Sequence, residues 1–167
     1  MGALTGRARA LVAAVLRTVW MVRTLLRSGM VAPMGPRKIA GTIAVVRRGV
    51  TATTGISLAA VRAPHRPAVV DERGSITWRE LDDTSDAVAV GLLRLTQDRP
   101  GTVAVLVRNH RGFVQALAGA TRGGSDVLLL NTSFSAPQLR DVLAREQAGV
   151  VVYDQEFQGG VDDATAD

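Results

Sequence analysis

The chain has 167 residues and no cysteine. That excludes disulfides, a thiolate zinc site and a thiol nucleophile, and it fits a reducing, cytoplasmic setting. Lysine is almost missing as well, because Lys38 is the only one and the remaining basic residues are arginine. Aromatic residues make up 4% of the chain, and only Trp20 precedes residue 78. A basic segment without interleaved aromatics argues against a nucleic-acid surface. Long uncharged apolar runs are also lacking: Arg17 and Arg23 break the N-terminal one, well short of the roughly 20 residues that a bilayer-spanning helix needs. The uncharged stretch 10–16 is short for a signal peptide, and no small-residue cleavage pattern follows it closely. Gly6 stands where a myristoylation signal starting at Gly2 wants Ser or Thr.

Acidic residues are missing from the first 70 positions, which carry 11 of the 20 Lys and Arg; all 15 Asp and Glu lie beyond them. This asymmetry predicts a basic arm over residues 1–48 joined to a differently built domain over 49–167. In the arm, Leu4, Ala8, Leu11, Val12, Val15, Val19, Val22 and Leu26 recur at helical spacing, with Arg9, Arg17, Arg23 and Arg27 on the other face or its margins. Trp20 sits on the flank, and Gly29 and Pro33 end the segment. A second helical stretch follows over residues 39–46. The expected role of residues 4–27 is either a helix lying peripherally on an anionic membrane, at the inner face of the cell membrane, or a helix packed on the rest of the protein. In a eukaryote the same acid-free, Arg-rich start would match a transit peptide.

Beyond the arm, Thr51-Ala52-Thr53-Thr54-Gly55 invites a phosphate-loop reading. It lacks the further glycines, the lysine and the preceding strand that such a loop needs, so Thr53 or Thr54 is expected to cap a helix. Residues 68–71 and 75–77 read as a hairpin turned at Glu72-Arg73-Gly74, with Gly74 taking positive φ. Thr77 and Glu80 form a capping box for a helix to about Leu95, burying Leu81, Val88, Leu92 and Leu95. Asp82, Asp83 and Asp86 are expected to complement the helix dipole and face water. Strands at 102–107, 126–130 and 150–153 alternate with helices at about 113–122 and 136–143, Ser135 capping the latter. The β-α-β-α-β order predicts a parallel α/β sheet with right-handed crossovers.

Three segments carry a family resemblance: residues 66–82, containing Asp71-Glu72-Arg73-Gly74 and Thr77-Trp78-Arg79-Glu80-Leu81; Val103-Ala104-Val105-Leu106-Val107-Arg108-Asn109; and Leu128-Leu129-Leu130-Asn131-Thr132-Ser133-Phe134. In order and spacing they resemble the N-terminal part of adenylate-forming ligases, the AMP-binding acyl-CoA synthetases, and within them the long-chain fatty-acid–CoA ligases of the mycobacterial type. The resemblance covers about residues 50–155. It implies a parent enzyme that uses ATP and magnesium to join a fatty acid to AMP and then passes the acyl group to coenzyme A. The family's phosphate loop, adenine-contacting motif and C-terminal lysine have no counterpart in residues 1–167, so no catalytic, cofactor-binding or metal residue is assigned. The expected fold is an incomplete parallel sheet of such a ligase's N-terminal domain, preceded by the basic helical arm.

Ligands of open parallel sheets gather at the carboxyl ends of the strands. That singles out Asn109, His110, Asn131, Thr132 and Ser133. His110 has the chemistry of a base, without a visible nucleophile beside it, and is expected on a loop surface; Asn131 and Thr132 are expected to tie down a loop. His65, beside Pro67, reads as a solvated loop residue. Two functional readings follow. One is a fatty-acid–CoA ligase fragment, not catalytically competent alone and completed by a separate C-terminal ligase part. The other is a non-catalytic α/β module with a membrane-binding arm. Residues 155–167, with Gly159-Gly160 and several acids, offer no evident helix or strand to cover the last strand. A chain left so is expected to be marginally stable and prone to membranes or aggregation.

Overall fold

The computed structural model describes residues 17–21, 23–24, 35–47 and 49–166. Within the expected N-terminal helix, residues 17–21 and 23–24 are helical; the rest of that segment, with Gly29 and Pro33, lies outside the described residues. The chain divides into two units, Met1–Arg37 and Lys38–Asp167. Helix α1 (Pro36–Arg47) begins at their boundary. The second unit continues with α2 (Thr54–Arg62), the strands β1 (Pro67–Asp71) and β2 (Gly74–Thr77), α3 (Trp78–Leu95), β3 (Thr102–Leu106), α4 (Arg111–Arg122), β4 (Asp126–Leu129), α5 (Ala136–Arg145) and β5 (Ala148–Tyr153). A 3-10 turn (Gln155–Phe157) and α6 (Gln158–Thr165) close it.

The three later strands form a parallel sheet in the order β4-β3-β5. Val103 stands opposite Val127 on one side and Val150 on the other; Val105 stands opposite Leu129 and Val152. Alternation along the central strand builds two cores. Ala104 and Leu106 face Leu139, Leu143, Val161 and Ala164. Val103, Val105 and Val107 face Leu92, Ala116 and Ala120. Each of these β3 side chains is almost fully buried, and such burial contributes on the order of 1.5–3 kcal/mol for a Val or Leu. This is why residues 103–107 are apolar without interruption: a strand covered on both faces has no polar side.

The hairpin forms as the sequence predicts. β1 and β2 are antiparallel, and Gly74 at φ 98° closes the turn. The capping box is in place: Glu80 Oε2 accepts from the Thr77 N–H at 2.7 Å, and Thr77 Oγ1 accepts from the Glu80 N–H at 3.3 Å. At Ser135, Gln138 Oε1 accepts from the backbone N–H at 2.9 Å.

Several expectations need correction. Leu95 is 73% exposed. Helices α3 and α4 pack closely where Gly119 meets Val88 and Ala89, and Gly123, the C-cap of α4, lies level with the Ala89 carbonyl, short of Leu95. Thr53 holds the N-cap position of α2 but makes no cap bond; its hydroxyl lies 3.2 Å from that of Thr51, and Thr54 Oγ1 accepts from the Thr51 N–H at 2.7 Å. The last strand is not bare either. Helix α6 covers one face of the sheet with Val161 and Ala164, and Phe157 joins them. Arg140 fastens the end of that helix by donating to the carbonyls of Ala164, at 3.3 Å, and Asp163. Among the described residues β4 and β5 each pair with β3 alone, so both outer edges of the sheet carry no strand partner.

Candidate functional site

The carboxyl ends of β3 and β4 open into a cleft of about 670 Å³. Asn109, His110, Asn131 and Thr132 all line it, together with Glu72, Arg108 and an apolar floor that includes Phe113 and Leu130. Four of the five residues singled out from topology are thus brought together. Ser133 is not in the lining; its N–H donates to Asn131 Oδ1 at 3.0 Å, so Asn131 ties down the exit loop as expected.

His110 differs from the expectation of a loop-surface histidine without a partner. It is the N-cap of α4, and its Nδ1 accepts from the Gly112 N–H at 2.9 Å. Its Nε2 lies 3.0 and 3.1 Å from the two carboxylate oxygens of Asp154. The cap bond assigns the neutral tautomer: Nδ1 is the acceptor and Nε2 donates to Asp154. With the Nδ1 lone pair used by the cap, the ring does not serve as a general base in this arrangement, and the pair anchors the strand-to-helix turn to the end of β5. Asp154 is doubly used, since the Arg108 N–H also donates to Oδ2 at 2.8 Å. Sequence reasoning missed Asp154, although it follows β5 just as Asn131 follows β4.

Two more ion pairs frame the cleft. Arg108 forks onto Glu156, Nε to Oε1 at 2.5 Å and Nη2 to Oε2 at 2.7 Å, with its guanidinium 5.3 Å from the centre of the Phe157 ring. The hydrogen bonds and charge of Arg108 hold the Glu156 carboxyl below its usual value, and Glu156 raises Arg108 in return. Arg111 forks onto Asp71, Nε to Oδ2 at 2.8 Å and Nη2 to Oδ1 at 2.5 Å, while the Arg111 N–H donates to Oδ2 at 3.0 Å. The Asp71 side chain is only 3% exposed. Bonds from the Arg111 side chain, then from its backbone, hold the Asp71 carboxyl far below the ordinary carboxylate range. This pair locks the hairpin to the start of α4 over 40 positions of sequence.

A second cleft of about 450 Å³ lies among α1, α2 and α3 and carries Thr51, Thr53 and Thr54. At its wall Arg122 donates to Asp82 Oδ1 and Asp86 Oδ1, both at 2.6 Å, to the Asp82 carbonyl at 2.8 Å and to Ser57 Oγ at 3.1 Å. Asp82 and Asp86 therefore do more than face water beside the helix dipole: they hold a largely buried guanidinium that ties α4 to α2 and α3. Asp83 is exposed, as expected.

The described residues do not make an ATP–magnesium site. In the threonine segment the N–H of Thr51 is taken by Thr54 Oγ1, that of Thr54 by the Thr51 carbonyl and that of Ile56 by the Thr53 carbonyl, so these three do not converge on a phosphate. Among the described residues no group of three His, Cys, Asp or Glu is placed to hold a metal. None of the described helices is long and apolar enough to cross a membrane.

Residues 56–166 match the family model of the AMP-binding enzymes. The chain is 31% identical over 100 residues to a 4-hydroxybenzoate–CoA/benzoate–CoA ligase of Rhodopseudomonas palustris, a match that covers 60% of this chain and 19% of that protein. It is 34% identical over 95 residues to the nonribosomal peptide synthase roqA of Penicillium rubens, covering 57% of this chain and 4% of that one. The chain thus spans about a fifth or less of these relatives. Among solved structures, a Mycobacterium tuberculosis fatty acyl CoA synthetase superposes with a TM-score of 0.61 at 21% identity, over 78% of this chain and 24% of that one. At that identity the likeness speaks to the fold.

Proposed function

The chain belongs to the AMP-binding, adenylate-forming enzymes, and from that membership we propose that it is the N-terminal part of an acid–CoA ligase whose acid is a fatty acid. The observation that carries this reading is the family match over residues 56–166, which spans the hairpin, the parallel sheet and the closing helix. The likeness to CoA ligases supports the reaction class: ATP-dependent formation of an acyl adenylate, then transfer to coenzyme A. The run from Leu128 to Phe134 supports the fatty-acyl choice over an aromatic acid. In this reading ATP binding and acyl transfer are steps of the whole enzyme, to which the chain contributes a parallel sheet.

The test is the intact mass of the protein in its own cell, followed by ATP–pyrophosphate exchange. A mass several-fold above 17.6 kDa, with exchange stimulated by fatty acids over benzoate, is expected. A mass near 17.6 kDa with no exchange, even after addition of the polypeptide encoded downstream, would sink the ligase reading.

A second reading has its own support. Val19, Trp20 and Met21 are exposed at 57%, 68% and 53%, and no acid occurs in the first 70 residues. These favour peripheral attachment of residues 4–27 to an anionic membrane. Co-sedimentation with phosphatidylglycerol vesicles that disappears at high salt is the expected result.

A further inference from the structure

Helix α1 has 12 residues and buries none of them. One side is turned to the body. A Cβ on Gly41 would stand 2.9 Å from Val61 Cγ1, so α1 crosses α2 at Gly41, and Lys38 Nζ donates to the Arg62 carbonyl at 2.7 Å. At about 100° per residue, Ile39, Ile43 and Val46 fall roughly 140–200° round the helix from Gly41. They form a stripe pointing away from α2 and are 46%, 53% and 48% exposed. Arg47 stands on the margin of that stripe, and Arg37 and Lys38 occupy the first turn, where cations oppose the helix dipole. A helix this short is at the length where isolated helices are marginal. It gains from a partner that covers the aliphatic stripe and neutralises Arg47 at its margin.

We propose that Ile39, Ile43 and Val46 seat α1 in the plane of an anionic lipid surface, with Arg47 at the headgroups. The absence of any acid before Asp71 supplies the charge complementarity. Aliphatic side chains at positions i, i+4 and i+7 supply the insertion that a polyanion such as nucleic acid would not use. The proposal rests on the membrane reading and places a lipid contact on the second unit, separate from residues 4–27.

A chain without cysteine permits a single label. The full-length Ile43→Cys variant, carrying an environment-sensitive dye, is expected to shift to the blue with phosphatidylglycerol-containing vesicles. No shift is expected with pure phosphatidylcholine, or from the same dye at Asp83→Cys on the exposed side of α3. A dye at position 43 already blue-shifted in buffer would mean that the protein itself covers the stripe, and would overturn the proposal. Ile39→Ser/Ile43→Ser/Val46→Ser should lower vesicle partitioning roughly tenfold while leaving the melting transition of the second unit in place. Unchanged partitioning of this variant, with loss only in Leu11→Ser/Val15→Ser, would overturn the role of α1 and leave the membrane reading standing. Absence of vesicle binding by the parent chain would overturn both.

Discussion

Asp71 shows how much one side chain can carry. Its carboxylate takes three hydrogen bonds from Arg111 and one from the Arg73 N–H, and these hold its proton affinity far below normal. A carboxyl whose folded value lies below its unfolded one stabilises the fold above about pH 4. That contribution is lost as pH falls through the carboxylate range toward the folded value. Glu80, held down by the Thr77 N–H, and Glu156, held down by Arg108, act in the same direction. Asp71→Asn should therefore lower the melting temperature at neutral pH and flatten its acid limb, as read by thermal melts at several pH values. An acid limb as steep as the parent's would show that Asp71 is not a main source of it. At His110, Ala should cost about 1 kcal/mol through loss of the helix cap, while Asn, a good cap residue, should recover most of it. Urea unfolding of the two variants separates the cap from the Asp154 hydrogen bond, because Asn restores the first and not the second. Neither the Asp71–Arg111 nor the His110–Asp154 partnership was legible in the sequence. Asp71 and Arg111 lie 40 positions apart and His110 and Asp154 lie 44 apart, and only the strand order brings them together.

Local signals fared better at the scale of elements. The hairpin, the capping box and the alternation of strands with helices could be read because each is written within a few residues: Gly74 for its φ, Thr77 with Glu80 for its reciprocal bonds, residues 102–107 for double burial. Closing helix α6 escaped because its signal is faint. Gly159-Gly160 and the acids Asp162 and Asp163 obscure a short apolar side made of Phe157, Val161 and Ala164. Close packing of α3 on α4 was equally hidden, since it rests on small residues that a hydrophobicity pattern passes over. Two glycines test that interface. A Cβ on Gly119 would overlap the Val88 side chain, whereas one on Gly91 meets nothing within 4 Å. Gly119→Ala should destabilise by roughly 1–3 kcal/mol through overpacking. Gly91→Ala, exposed in a helix interior, should stabilise by about 0.5–1 kcal/mol. Opposite signs in denaturant unfolding are the expected outcome; equal signs would mean that the two helices do not meet through Gly119.

At the scale of the whole molecule, the two cores share one strand. Side chains of β3 fill both, so damage to either core acts on the same sheet. Val161→Asp, placed in the core beneath α6, should broaden the melting transition and raise binding of a hydrophobic dye. Leu106→Ala should cost about 2–5 kcal/mol. The expectation of a bare last strand is thereby revised: one face is covered, and only the outer edges of the sheet stand without a strand among the described residues. Sequence alone was enough to indicate the candidate cleft, because four of its residues follow from where parallel strands end, but the ion pairs that fix its walls come from segments far apart in the chain.

Placing the earliest strand of the parallel sheet at its centre has a consequence for synthesis. As the polypeptide leaves the ribosome, residues 102–106 emerge before either flanking strand exists, β4 following from residue 126 and β5 from residue 148. For that interval an apolar segment of the nascent chain has neither neighbour, and translation must run past Tyr153 before both of its sides are paired. A pause between Leu106 and Tyr153 would prolong the exposure of a sticky strand, and that window is where a ribosome-bound chaperone would be expected to engage this chain.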